Sequence, residues 1–379
     1  MSLRAIALLA LLLGSPTLGF PGEVARIGVN IPLTGAAADI GQYLLWGVEI
    51  AVAEANASGG VGGRPVQAVI LDDETNPQKA AANVRQLIGR ENVSAVLGPA
   101  NSGNALAMIP IMQEARKPLM LLTASATKLT TLYSDAPQNY IFRATLPDRE
   151  QIRKLLDWAA PRFPRLAIAC DTTPYGQLAR QDLTELMAER GLKPVAVVEF
   201  DLGELDMTGK IRELEKTPVD AVAVLSLGRE VANFVRGADA VGFKPRLIGQ
   251  YPFFLHPIKE LPDRLSNGLT GVLGSSAQDS PKSREIDAIV RAKYRHQGYY
   301  PFKFVEAAYE GTRLVLQAMN EAGSDQGPAI RDALEHIERF QGVSQVFERP
   351  FSRERHELYK VENLSMGVWR NGDVVRLDQ

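Results

Sequence analysis

The sequence predicts an α/β protein made of two doubly wound parallel sheets, each covered by helices. Strand-like and helix-like segments alternate almost throughout the 379 residues, as they do in chains of βαβ units. The strand-like segments are continuous apolar runs such as RLAIAC, which indicates strands buried on both faces. The chain also exceeds the roughly 150 residues of an ordinary domain. We therefore expect two domains of the same class.

The first series of elements begins near Val24. Its predicted strands are VARIGVNI, PVQAVILD, VSAVL, PLMLL and YIFRA. Helical patterns separate the first four of these strands, over Gly41 to Ala57, Pro77 to Arg90 and Asn104 to Ala115. The glycine-rich GGVGGRP precedes a strand, whereas a dinucleotide-binding loop follows one. It therefore indicates a turn that ends the first helix.

After Thr145 the same alternation starts again, with a helix from Asp148. The predicted strands are RLAIACD, KPVAVVEF, VDAVAVLS and RLIGQY, and the helices that follow the first three open at Tyr175, Thr208 and Glu230. Three helical stretches come after LTGVLGSSAQD, over Ser283 to Gln297, Val305 to Ala322 and Pro328 to Arg339. The segments from Val346 to Asp378 are predicted to be short strands joined by turns at Arg353-Glu354 and Arg370-Asn371-Gly372.

The N-terminus has the features of a secretory signal peptide over residues 1–20. Arg4 provides the positive charge, Ala5 to Leu13 form an apolar run, and small residues place the cleavage near Gly19 to Pro21. A membrane anchor is the weaker alternative, because a spanning helix needs about 20 apolar residues. We therefore expect an exported protein of the periplasm. Its single cysteine, Cys170, predicts no intramolecular disulfide.

Composition and motifs disfavour several classes of protein. Lys plus Arg is 42 against 44 for Asp plus Glu, so no net charge favours nucleic acid or an acidic membrane surface. The sequence has neither a phosphate-binding loop nor a nucleophile elbow, and the four histidines are scattered and expected at the surface. Asp72, Asp73 and Glu74 either hold a hard cation or, as the favoured alternative, cap the next helix. We expect no catalytic residue, cofactor or metal, and a small molecule as the ligand.

Two turns of small residues predict one anion site. GPANSGNALA, residues 98–107, joins a strand to a helix, and such a turn exposes free backbone N–H groups at the positive end of the helix dipole. Ser102 adds a hydroxyl there, and TASAT places Ser125 and Thr127 at the end of the next strand. In open α/β sheets the ligand crevice lies outside the carboxyl ends of the strands. The three side chains therefore face one carboxylate or, alternatively, are plain helix caps.

The second series offers an apolar and aromatic wall for the same ligand. Tyr175, Leu227 and Tyr251 follow three of its strands at equivalent places. A tyrosine at a strand end is otherwise an ordinary half-buried packing residue. The repetition of the position favours a binding role.

These stretches resemble the periplasmic type I solute-binding proteins of the leucine/isoleucine/valine-binding family, which feed ABC importers. The likeness extends from IGVNIPLTG to VRQLI and continues through SATKLT, YIFRA, PYGQ and DAVAVLS in the expected order. It implies two lobes that are joined by a three-stranded hinge and close around a ligand. We expect residues 21–145 plus 277–345 in the N-terminal lobe and residues 146–276 plus 346–379 in the C-terminal lobe.

The resemblance also implies roles for individual residues. Ser102 and Thr127 would bind the ligand carboxylate, together with backbone amides near Asn101 to Gly103 and at Ser125, and Tyr175 would cover it from the other lobe. Further residues would line the remainder of the ligand. They are Leu227, where amino-acid binders tend to present an aromatic residue, and Ile40 and Phe304, at the side-chain end.

Two positions depart from the family pattern. Tyr251 stands where amino-acid binders place a carboxylate for the ligand ammonium, and burying an ammonium without a paired charge costs several kcal/mol. Because Tyr251 offers no such charge, the favoured ligand is an amine-free aliphatic or aromatic acid, with a branched-chain or hydrophobic amino acid as the alternative. The second departure is that Thr75 and Asn101 occupy the positions at which the family has a disulfide.

The expected function is to capture a small carboxylate and deliver it to an ABC permease in the inner membrane, as a monomer. A ligand-sensing subunit for a chemoreceptor or sensor kinase would have the same pocket and remains an alternative. An exported α/β enzyme is disfavoured, because the sequence has no recognisable nucleophile with its base, no cofactor loop and no metal-ligand set.

Overall fold

The computed structural model describes residues 24–274, 280–360 and 364–377. The signal peptide predicted over residues 1–20 lies outside these ranges. None of the helices in the described ranges is long and apolar enough to cross a membrane.

The first sheet has five parallel strands in the order β2-β1-β3-β4-β5. They are β1 (Ala25–Ile31), β2 (Val66–Asp72), β3 (Val96–Leu97), β4 (Leu119–Leu121) and β5 (Ile141–Arg143). The connecting helices are α1 (Ala38–Ala57), α2 (Pro77–Gly89) and α3 (Ser102–Glu114). β3, β4 and β5 are buried at every position, as the unbroken apolar sequences of β3 and β4 predict; in β5 the buried residues include Arg143.

The second sheet repeats this topology. Its parallel strands are β6 (Leu166–Asp171), β7 (Val197–Phe200), β8 (Ala221–Leu225), β9 (Arg246–Gly249) and β10 (Thr270–Leu273), in the order β7-β6-β8-β9-β10. The helices around it are α4 (Asp148–Ala159), α5 (Pro174–Ala188), α6 (Thr208–Glu215), α7 (Gly228–Val241) and the short α8 (His256–Lys259) and α9 (Asp263–Ser266). In each sheet the second and third strands in chain order lie on opposite sides of the first: β2 and β3 flank β1, and β7 and β8 flank β6. This reversal of strand order is the place where α/β proteins form their ligand crevice.

After β10 the chain returns to the first sheet. The returning elements are α10 (Pro281–Lys293), α11 (Phe302–Ala322), α12 (Gly327–His336), β11 (Arg339–Gln341) and β12 (Val346–Glu348). α11 packs closely on α1, because Gly47 has no side chain: a Cβ there would lie 2.3 Å from the carbonyl oxygen of Val305. The antiparallel strands β13 (Ser365–Arg370) and β14 (Asp373–Arg376) then extend the second sheet beyond β10.

The end of the chain differs from the prediction in two respects. Arg339, predicted to end a helix, starts β11, because α12 stops at His336 and the next residues pair with β12. Residues 346–358, predicted to lie in the C-terminal lobe, stay beside the first sheet: Arg143 N–H donates to the carbonyl of His356, and Leu358 N–H donates to the carbonyl of Arg143. Apart from this adjustment, the lobe bounds remain a prediction.

A buried ion pair fixes this segment to β5. Arg143 is 0% exposed, and its guanidinium donates to both carboxylate oxygens of Glu357, at 2.7 and 2.6 Å. The same guanidinium donates to the carbonyl of Ala126 at 2.9 Å. The turn after β4 is therefore held in place from the C-terminal segment.

Two other predictions about polar residues need correction. His356 was expected at the surface, but it is 4% exposed, stacks on Phe142 at 4.0 Å and contacts Glu335 at 2.9 Å. Asp72 does not cap α2, since Asn76 accepts the capping hydrogen bond from Lys79 N–H. The Asp72 carboxylate accepts hydrogen bonds from the loop after β1 instead. The described residues contain no cluster of side chains suited to a metal ion.

Candidate ligand-binding site

The strand ends of the two sheets meet at one pocket. The pocket has a cavity volume of about 70 Å³. The lining side chains follow the carboxyl ends of β3, β4 and β5 from one sheet and of β6, β8, β9 and β10 from the other, and α1 and α11 complete the wall. Of the ten residues predicted to bind the ligand, eight line the pocket: Ile40, Asn101, Ser102, Ser125, Tyr175, Leu227, Tyr251 and Phe304.

The turn after β3 brings backbone N–H groups to the pocket. Gly98 has φ +119°, and a Cβ there would lie 2.0 Å from the carbonyl oxygen of Asn30, so only glycine allows this close turn over β1. Asn101 is the extended N-cap of α3, and its side chain makes no capping hydrogen bond. The first N–H groups of α3 consequently have no partner within the helix, and their partial positive charge favours an anion.

The hydroxyl of Ser102 joins this turn to the next one. Ser102 is 1% exposed, and its oxygen accepts a hydrogen bond from Ala126 N–H at 3.1 Å. Thr123 makes a second link, donating to the carbonyl of Ala100 at 3.0 Å. Because the Ser102 oxygen serves as the acceptor, its proton remains available to a ligand oxygen. The two small-residue turns thus form one surface, to which Ser125 also contributes.

Thr127 and Gly103 lie outside the pocket lining. The Thr127 hydroxyl donates to Asp182 at 2.6 Å and accepts from Arg149 N–H, in the first turn of α4, at 2.9 Å. Its proton is therefore committed to a carboxylate, and the capping alternative describes Thr127 better than ligand binding does. A Cβ at Gly103 would lie 3.5 Å from Pro174, so its Cα faces α5.

The second sheet supplies the aromatic wall. The Tyr175 hydroxyl donates to Gln250 Oε1 at 3.1 Å, which fixes the ring at the pocket edge. The Tyr251 ring packs edge-on against Phe304, with 5.2 Å between centroids. Leu227, at the N-cap of α7, adds an aliphatic surface.

Asp148 lies behind this wall and connects it to the Ser125 turn. Its backbone N–H donates to the carbonyl of Ser125 at 2.7 Å, and its carboxylate accepts from Gln250 at 2.6 Å. Burial raises the pKa of Asp148 to about 6, against the opposing effect of hydrogen bonds from Ser125 and Gln250. Sequence analysis identified Asp148 only as the start of a helix. The residues next to it in the sequence do not show that Gln250, which follows β9, will contact it.

Lys303 is the second functional residue that sequence analysis missed. It lines the pocket from the first turn of α11 and is only 6% exposed. Its Nζ lies 3.7 Å from the centroid of the Tyr359 ring and 3.9 Å from the Glu306 carboxylate, and no acceptor among the described residues hydrogen-bonds to it. A lysine within the apolar run YYPFKFVEAAY is the available signal, because lysine is rarely buried without a partner.

The Lys303 cluster includes two more buried acids. Glu306 accepts a hydrogen bond from Ser344, and Glu310 accepts from Tyr359 and from Val343 N–H. Burial, and then the neighbouring Glu306, raises the pKa of Glu310 to about 8. Glu310 is therefore mostly protonated at neutral pH.

The chemistry of the lining suits an acid with an apolar body. Among the described residues that line the pocket, none carries a carboxylate, whereas hydroxyls, amides and Lys303 supply donors. The remaining surface is apolar and comes largely from these side chains: Ile40, Leu146, Leu227, Leu255, Phe304 and Leu364.

Comparison with known proteins agrees with this architecture. Residues 24–372 match the family described as periplasmic binding protein. The Leu/Ile/Val-binding protein homolog 2 of Brucella abortus is 27% identical over 319 residues, 84% of each chain.

Two solved structures share the fold. One is the branched-chain amino acid transporter substrate-binding protein LivJ from Streptococcus pneumoniae, in complex with isoleucine, with a TM-score of 0.81, 23% identity and coverage of 93% of this chain and 99% of that one. The other is a solute-binding protein of an ABC transporter from R. palustris, in complex with 4-hydroxybenzoate, with a TM-score of 0.77, 20% identity and coverage of 93% and 95%. With its paired sheets, its pocket and its family match, the chain belongs to the type I periplasmic binding proteins of the Leu/Ile/Val-binding family.

Proposed function

We propose that this protein is the solute-binding component of an ABC importer and that it captures an amine-free carboxylic acid with an aromatic or branched aliphatic body. One observation carries the choice of ligand: among the described lining residues, donors surround the pocket and no carboxylate is present. The N-terminus of α3 and the Ser102 hydroxyl receive the ligand carboxylate.

An α-amino acid fits this lining poorly. Its ammonium needs a paired charge when it is buried, and an unpaired charge costs several kcal/mol. The Asp148 carboxylate is not part of the lining, and one of its oxygens already accepts from Gln250. The fold itself accommodates both ligand classes, since one related structure holds isoleucine and another holds 4-hydroxybenzoate.

Delivery follows from the two-sheet arrangement. A ligand that contacts the strand ends of both sheets stabilises the conformation in which those ends are close together. A permease that binds only this conformation receives loaded protein. The periplasm is the compartment in which the protein would meet both ligand and permease.

The test compares each amino acid with its deaminated acid by isothermal titration calorimetry. The pairs are leucine with 4-methylpentanoate and phenylalanine with 3-phenylpropanoate. Burying the unpaired ammonium costs several kcal/mol, and about 1.4 kcal/mol corresponds to a tenfold change in Kd. We therefore expect each acid to bind more than about 100-fold more tightly than its amino acid. Tighter binding of the amino acids would refute the ligand class and leave the family assignment intact.

A further inference from the structure

We infer that the ligand carries a second oxygen acceptor, a hydroxyl or keto group, which Lys303 binds at the hinge end of the pocket. This inference rests on the proposed function and specifies its ligand. The hinge end is formed by Gly274, Lys303 and Leu364.

The described residues around Lys303 leave the hydrogen-bonding capacity of its side chain unused. An ammonium has three donors and no acceptor, and a buried donor without a partner is costly. The Tyr359 ring, 3.7 Å from Nζ, offers its π face and not a lone pair. Glu306 Oε2 is 3.9 Å away, beyond hydrogen-bond distance. A ligand oxygen in the pocket would supply the missing acceptor.

The charge balance of the cluster favours a neutral oxygen. Glu310 shares its site with Glu306 and is bound by Tyr359 and Val343, and burial raises its pKa. The Glu306 carboxylate already lies 3.9 Å from Nζ of Lys303. A phenolic hydroxyl or keto oxygen adds an acceptor without adding a second negative charge.

Lys303 is separate from the carboxylate site. Ser102 begins α3 and accepts a hydrogen bond from Ala126 N–H. Lys303 lies on α11 and contacts Tyr359 and Glu306. Apolar side chains of Ile40, Leu227 and Phe304 also line the cavity. A molecule with two oxygen-bearing ends and an apolar middle fits these three surfaces.

The experiment measures Kd by calorimetry for benzoate, 3-hydroxybenzoate, 4-hydroxybenzoate and benzene-1,4-dicarboxylate. We expect the better hydroxybenzoate to bind at least about tenfold more tightly than benzoate, as loss of a hydrogen bond to a charged group predicts. Lys303→Met should reduce this ratio to within about threefold. Because that variant leaves Glu306 buried without its cation, the double variant Lys303→Met/Glu306→Gln is measured alongside it.

Lys282→Met is the matched control. Lys282 also lies over a tyrosine ring, 5.4 Å from the centroid of Tyr309, but it is outside the pocket lining. The hydroxybenzoate preference should persist in this variant. A stronger preference for the dicarboxylate that is also lost without Lys303 would overturn the inference, because the group that Lys303 binds would then be an anion and not a hydroxyl or keto oxygen.

Two further results would overturn the inference. One is equal affinity for benzoate and its derivatives in the wild-type protein, and the other is a preference that survives in both Lys303 variants. In either case benzoate still binds and the proposed function stands. If the benzoates and the aliphatic and phenylpropanoic acids all fail to bind, the proposed function and the inference fail together.

Discussion

Replacing Ser102 by alanine should weaken ligand binding strongly and affect folding little. The hydroxyl is 1% exposed and accepts from Ala126 N–H at 3.1 Å, so its proton is directed to the ligand. A hydrogen bond to a charged group contributes about 1.5–3 kcal/mol, and Kd should therefore rise about 10- to 150-fold. The unliganded protein loses only the neutral bond from Ala126, about 1 kcal/mol of its free energy of unfolding.

The assay is calorimetric titration with the acid that the wild-type protein binds most tightly, combined with urea unfolding of the unliganded protein. Ser94→Ala is the matched control, because Ser94 is also a buried serine but precedes β3, at the opposite end of that strand from the pocket. Its Kd should equal that of the wild type. If Ser102→Ala also binds with unchanged Kd, the carboxylate does not lie at the N-terminus of α3.

Three further predictions concern buried groups. Arg143→Met should lower the free energy of unfolding by about 1–3 kcal/mol in urea titrations, because the carbonyl of Ala126 and the partly buried carboxylate of Glu357 both lose their donor; a change below about 0.5 kcal/mol would contradict this account. The pKa of Asp148 is raised from the ordinary range to about 6, so protonated Asp148 favours the folded state. Its contribution to the free energy of unfolding should fall by about 2–3 kcal/mol as the pH rises from about 4 to 6. In urea titrations over this range, the free energy of unfolding should decrease less for Asp148→Asn than for the wild type. Burial raises the pKa of Cys170 to about 12, so a thiol reagent at pH 8 should modify it only after unfolding, and rapid reaction of the native protein would contradict its buried position in β6.

Much of the binding surface could be predicted from the sequence because parallel strands end at a common edge. The small-residue turns after VSAVL and PLMLL had to lie side by side once both segments were assigned as neighbouring strands. Hydrogen bonds from Ala126 to Ser102 and from Thr123 to Ala100 now describe that contact. The tyrosines after β6 and β9 follow from the same argument.

The roles of Thr127 and Lys303 could not be predicted in this way. The sequence places Thr127 at a strand end, but its partner Asp182 is on a helix of the second unit, and no local pattern reports such a contact. The predicted helix begins at Val305 and leaves Lys303 outside it, whereas α11 begins at Phe302. Only the packing of α11 against α1 and of Lys303 against Tyr359 determines that the ammonium meets a cavity. Sequence patterns do not reveal contacts between polar groups that are distant in the sequence.

The order of strands has a consequence for how the chain folds. β13 and β14 complete the second sheet only after about 90 residues that follow β10, and β5, already paired with β4, gains its contacts on the other side only from residues 356–358. Neither half can therefore finish folding without residues near the end of the chain. Long-range closure of this kind slows folding, so the apolar strands stay exposed for longer.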